Sequence, residues 1–202
     1  MSQAPPLLSR RFQDAFLLAA EKHSSQTRKQ TRIPYIAHLM SVAALVLEAG
    51  GDEDLAIAAL LHDVVEDCGG EPMLEEVRRR FGDRVAHIVD GCTDAYTVPK
   101  PPWRQRKEEY LQHLKDADGD VRLVSAADKL HNAREILKDV RELGEPVWDR
   151  FKGKREGTLW YYRALADELI RENNWIVRQL QSVVSELEQL ARSHERSGKG
   201  RD

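Results

Sequence analysis

Apolar positions recur at helical spacing along almost the whole of this chain. Phe12, Phe16, Leu17 and Ala20 make a stripe with polar residues between them, which predicts a first helix. The basic, polar segment Thr27 to Pro34 reads as a loop, and Pro34 stands at or just before the first turn of a second helix, Tyr35 to Glu48. Gly50-Gly51 ends that helix. A third helix, capped by Asp52 or Asp54, carries the run Leu55-Ala56-Ile57-Ala58-Ala59-Leu60-Leu61 and ends at Gly69-Gly70. Pro72 to Phe81 is amphipathic and stopped by Gly82, and Asp83 then caps a helix reaching roughly Thr93. Thr97 to Pro102 holds three prolines in six residues and must be a loop.

Helical spacing returns from Trp103 to Lys115. Asp116 to Asp120 is a turn, and Val121 to Leu143 reads as one long helix or two abutting ones. Gly144 to Gly157 is loop-like, with a short helical turn around Val147 to Phe151. Helices over about Thr158 to Arg171 and Asn174 to Ser193 follow. Ile176, Leu180, Val183, Val184, Leu187 and Leu190 in the last helix read as packing on the chain's own core, with a partner interface as the alternative. No segment alternates with period two. The expected fold is all-α, a single bundle domain of about ten helices over residues 1–197, with a disordered tail at 198–202.

A chain of 202 residues can build one substantial core. Charged residues make up 32% with a net charge of only −3, so neither a nucleic-acid binder nor a membrane-surface protein is indicated. No apolar stretch approaches the roughly 20 residues that span a bilayer, and the N-terminus lacks an apolar signal core. Cys68 and Cys92 form no Cys-x-x-Cys motif and no disulfide framework. They read as free thiols, which predicts a reducing, cytoplasmic location.

The third helix is where the pattern breaks. Directly after its apolar run stand His62-Asp63-Val64-Val65-Glu66-Asp67, four ionisable groups in six residues. Ionisable groups on a core-facing helix need a partner that repays their desolvation, and a divalent cation is one. At about 3.6 residues per turn, His62 stacks with Glu66 and Asp63 with Asp67. His38, between Ile36 and Leu39, and Asp128, interrupting Val124-Ser125-Ala126-Ala127, also sit where a core would be apolar, and Asn132 lies one turn beyond Asp128. His38, His62, Asp63 and Asp128 offer two nitrogens and two carboxylates. Such a set suits an octahedral ion such as Mn²⁺, and also Zn²⁺ or Fe²⁺. His23, His87, His113, His131 and His194 read as structural or exposed. Lys100, Arg104, Arg106 and Lys107 form a basic cluster that either contacts phosphate or is a solvated face. Lys129 and Arg134 flank Asp128 as surface charges or ion-pair partners.

Arg28-Lys29 with Pro34-Tyr35-Ile36-Ala37-His38, then Leu60 to Asp67, then Ala127-Asp128-Lys129-Leu130-His131-Asn132-Ala133-Arg134, resemble the hydrolase domain of RelA/SpoT proteins, part of the HD superfamily of metal-dependent phosphohydrolases. The resemblance runs from about Phe12 to Arg171. It implies a stand-alone small alarmone hydrolase that removes the 3′-pyrophosphate from (p)ppGpp in the stringent response, with guanine nucleotide as its small-molecule partner. It further implies Mn²⁺ held by His38, His62, Asp63 and Asp128, and Glu66 and Asp67 as the catalytic carboxylates, either of which could be the base. Asn132 would orient the substrate, and Arg28 and Tyr35 would meet its guanosine end. Lys100 and Arg104 are the candidates for its phosphates. One of Trp160, Tyr161 and Tyr162 would lie near the substrate. The segment after Lys29 departs from the family by lacking a glycine before Pro34-Tyr35. Rival readings are an HD phosphatase acting on NADPH or a deoxynucleotide, and a non-catalytic nucleotide sensor. Homo-oligomerisation is left open.

Overall fold

The structure, a computed structural model, describes residues 7–94, 96, 99–172 and 174–199, with side chains through 193. Among these residues there are ten α-helices, one 3₁₀ helix and no sheet, only an isolated antiparallel bridge between Thr27 and Pro34. The chain falls into two compact units, residues 1–100 and 101–202.

The first unit holds α1 (Arg10–Lys22), α2 (Ile36–Glu48), α3 (Glu53–Leu61), α4 (Val64–Cys68), α5 (Gly70–Phe81) and α6 (Asp83–Cys92). Every residue from Leu55 to Leu61 is buried, because α1, α2 and α6 all pack on α3. A helix apolar on all sides can only be surrounded. Asp52 caps it by accepting the Leu55 N–H at 3.0 Å. Gly50, at φ +85°, makes the tight exit from α2.

In this unit the buried face of α1 and the starts of α5 and α6 differ from the sequence pattern. In α1 the buried face is Ala15, Leu18 and Ala19, whereas Phe16 and Leu17 are exposed. Polar anchors at the start of α1 set its rotation. Arg11, on the same face as Ala15 and Leu18, donates to the Phe81 carbonyl at 2.6 Å and pairs with Asp54 at 2.8 Å. The helix α5 begins at Gly70, with Pro72 tolerated in its first turn, and α6 begins at Asp83, with Gly82 (φ +94°) rather than Asp83 in the cap position.

The second unit holds α7 (Trp103–Asp116), α8 (Gly119–Leu143), a 3₁₀ helix (Glu145–Arg150), α9 (Lys154–Leu169) and α10 (Trp175–Lys199). The helix α8 is one continuous rod of 25 residues, capped by Asp118 on the Val121 N–H. Ile176, Leu180, Val184 and Leu187 are fully buried as α10 packs on α8 and α9, so that stripe is core. Gly153 lets the Trp103 ring close in: a Cβ there would lie 2.5 Å from the indole. Residues 198 and 199, expected in a disordered tail, are helical, and 200–202 lie outside the described residues, as do Thr97 and Val98 of the proline-rich loop. Among the described residues, no helix is long and apolar enough to cross a membrane.

Candidate active site

The predicted helix through Leu55 to Asp67 is interrupted at the motif itself. The helix α3 stops at Leu61, and Asp63 (φ −99°, ψ −5°) sits in the sparsely populated bridge region before α4 starts. His62 Nδ1 lies 2.8 Å from the Ala59 carbonyl. A carbonyl only accepts, so Nδ1 carries the proton, the last turn of α3 gains a donor, and Nε2 is left with a lone pair. That Nε2 lies 3.0 Å from Asp63 Oδ2, and His38 Nε2, from the first turns of α2, lies 3.7 Å from the same oxygen. Both imidazoles are buried and their rings meet edge to face at 5.2 Å. The Tyr35 hydroxyl donates to Asp63 Oδ2 at 2.6 Å. Two buried imidazole nitrogens converging on one carboxylate oxygen, one of them with its tautomer set by a backbone carbonyl, fit a divalent transition ion.

The carboxylates of α4 turn elsewhere. Glu66 is half-buried, with Oε1 2.6 Å from Lys100 Nζ and Oε2 3.4 Å from the Asp94 N–H. Burial first, then the nearby charges of Asp94 and Asp63, push its carboxyl above the ordinary value, partly offset by Lys100. Asp67 is exposed, and its Oδ2 accepts from Gln26 Nε2 at 2.8 Å. The backbone bond from Asp67 N–H to the Asp63 carbonyl survives at 3.0 Å, so the one-turn spacing holds while the side chains diverge.

Upstream, the loop before Pro34 closes through Arg28 N–H to the Ile33 carbonyl at 2.8 Å, and Gln30 takes the left-handed conformation at φ +55°. The Arg28 guanidinium lies 5.6 Å from the Tyr35 ring centroid.

In the second unit, Asp128 is buried on α8. Its Oδ2 pairs with Lys129 Nζ and its Oδ1 accepts from Asn132 Nδ2, both at 2.5 Å. Burial would lower the Lys129 pKa, but Asp128, Tyr110 and Tyr161 together hold it well above the ordinary value. Lys129 is therefore an ion-pair partner, one of the two roles the sequence allowed. The Arg104 guanidinium stacks 3.2 Å above the Trp160 ring and its Nε bonds Glu108 at 2.6 Å. Trp160 is half-exposed, while Tyr161 and Tyr162 are buried. Arg106 is also buried, with its Nε 3.3 Å from the Pro101 carbonyl, so it does not belong to a solvated basic face.

Sequence reasoning missed Gln26 and Asp94. Their contacts with Asp67 and Glu66 span 41 and 28 residues, and nothing in local spacing signals them.

The HD domain family matches residues 15–159. Guanosine-3′,5′-bis(diphosphate) 3′-pyrophosphohydrolase MESH1 from Xenopus tropicalis is 40% identical over 128 residues, 62% of this chain and 69% of that protein. The enzyme of the same activity name from Aquifex aeolicus is 33% identical over 81% of this chain, which spans only 25% of that longer protein. A solved structure described as a metazoan ortholog of SpoT that hydrolyzes ppGpp aligns with a TM-score of 0.74 and 28% identity, covering 92% of this chain and 98% of its own.

Proposed function

The chain belongs to the HD domain family, and we propose that it removes the 3′-pyrophosphate from (p)ppGpp with the help of Mn²⁺, leaving GDP or GTP. The observation that carries this reading is the convergence of His38 Nε2 and His62 Nε2 on Asp63 Oδ2, with Glu66 one turn further along. The relatives from Xenopus and Aquifex carry the same activity in their names.

His38, His62 and Asp63 would hold the ion. Asp128 is proposed as a further ligand on the strength of its motif, Ala127 to Arg134. Mixed nitrogen and carboxylate donors favour Mn²⁺ over a thiophilic metal. When bound, such an ion acidifies a water and neutralises phosphoryl charge. Glu66, whose carboxyl is raised by burial and the neighbouring charges of Asp94 and Asp63, is suited to take the proton of the attacking water. Asp67 would orient that water. The pyrophosphate leaves from the 3′ oxygen, which takes up a proton to become the ribose hydroxyl.

Arg28 and Tyr35 would meet the guanosine end, Tyr35 through its ring, since its hydroxyl bonds Asp63. Lys100 and Arg104 would contact phosphates, for which Lys100 must exchange its bond to Glu66. Asn132, through its bond to Asp128, would align both ligand and substrate. The two free thiols favour a reducing compartment, the cytoplasm.

The test is turnover of a panel containing ppGpp, pppGpp, NADPH and a deoxynucleoside triphosphate, with Mn²⁺ and with a chelator. Equimolar GDP and pyrophosphate from ppGpp, abolished by the chelator, is the expected result. Metal-loaded protein that turns over only another member of the panel, or none, overturns the reading.

A further inference from the structure

Asp67 is held from behind by a relay that reaches into the core. Its Oδ2 accepts from Gln26 Nε2 at 2.8 Å, and Gln26 Oε1 lies 2.6 Å from His23 Nδ1. The chemistry orients every group. An ionised carboxylate only accepts, so the Gln26 atom facing Asp67 is the amide nitrogen, its carbonyl oxygen faces His23, and Nδ1 of His23 carries a proton. The relay is anchored in backbone as well. Gln26 N–H donates to the His23 carbonyl at 3.0 Å, and the Gln26 carbonyl accepts from Tyr35 N–H at 2.9 Å.

His23 is only 2% exposed, and its ring stacks on Tyr35 with centroids 5.1 Å apart. Tyr35 in turn donates its hydroxyl to Asp63 Oδ2 at 2.6 Å. One buried imidazole therefore braces two carboxylates, Asp67 through Gln26 and Asp63 through Tyr35. A hydrogen bond to a surface carboxylate adds little to stability because water competes for it. What the relay determines is where Asp67 points.

Resting on the functional reading above, we propose that Gln26 and His23 are positioning residues of the hydrolytic site. Gln26 fixes the carboxylate plane of Asp67, and His23 fixes Gln26.

The test compares Gln26→Glu, Gln26→Ala and His23→Phe in the full chain loaded with Mn²⁺. Gln26→Glu keeps size and shape but replaces the donor by an acceptor, so a packing role would tolerate it and a positioning role would not. Gln26→Glu and Gln26→Ala are expected to lower kcat by about 10- to 100-fold, with KM, metal content and Tm unchanged. His23→Phe, which keeps the stack on Tyr35 and loses the Nδ1 proton, should fall less. Wild-type kcat in Gln26→Glu overturns the proposal. A second arm is independent of turnover: ¹⁵N NMR of the metal-free chain should show His23 protonated at Nδ1, and its signal should move in Gln26→Ala. A His23 protonated at Nε2 alone overturns the relay. If the wild-type chain turns over no ppGpp while His23 shows the expected tautomer, the functional reading has failed and the relay has not.

Discussion

Asp63 and Asp128 are both carboxylates embedded in apolar helical sequence, yet the molecule treats them in opposite ways. Asp128 sits on an unbroken helix and finds its countercharge beside it: Lys129 pairs with one oxygen and Asn132 donates to the other. Asp63 sits where the helix breaks, and two imidazole nitrogens, one with its lone pair already assigned, face its Oδ2. The first arrangement neutralises itself. The second assembles lone pairs and negative charge, which is what a cation requires. The same residue type on the same kind of sequence therefore meets an ammonium and an amide donor in one place and two imidazole nitrogens in the other, according to what the neighbouring turns bring to it.

Substituting Asp63 should have the largest effect. Asp63→Ala removes the oxygen both imidazoles face, so metal binding should vanish and turnover should fall by about 1,000-fold or more. Metal analysis after dialysis checks this, and full metal occupancy in the variant would break the comparison. Glu66→Gln should keep the metal and lose about 10²- to 10⁴-fold in kcat, which separates ion holding from proton transfer.

Lys129→Met sharpens the other side. Leaving Asp128 buried beside a methyl group should cost about 3 kcal/mol of stability, measured by urea unfolding. Asp63→Asn in the metal-free protein should change stability by less than about 1 kcal/mol. Equal losses at the two positions would erase the distinction.

The smallest effect is on pH. A Glu66 base works only when ionised, and burial with the nearby charges of Asp94 and Asp63 raises its carboxyl, so the proposed activity should be lost on the acid side at a higher pH than an unperturbed glutamate would give. Lys100 pulls that value down, so Lys100→Met should move the acid limb of kcat/KM to higher pH. A limb that stays put or moves down would argue against Glu66 as the base.

Most helices were legible because burial imposes the period: the runs Leu55 to Leu61 and Ile176 to Leu187 are core where their spacing says so. The stripe of α1 misled, since Arg11 turns Ala15 and Leu18 inward and leaves Phe16 and Leu17 outside. The motif was legible for a different reason, namely that clustered ionisable groups in apolar sequence are costly without a function. Its geometry was not. Local spacing suggested successive turns of one helix, with His62 stacked on Glu66 and Asp63 on Asp67, whereas Glu66 faces Lys100 and Asp94, and Asp67 faces Gln26.

The sequence by itself determined that this chain is helical and that it sets metal-ligating residue types in apolar surroundings, because periodicity and desolvation act locally. Only the tertiary structure decided how that chemistry is held. It broke the helix at His62-Asp63, gave His62 its tautomer through the Ala59 carbonyl, and set His23, read as structural or exposed, behind both Asp63 and Asp67. Hydrogen bonds are directional and join residues far apart in the chain, so their outcome is settled by packing rather than by spacing.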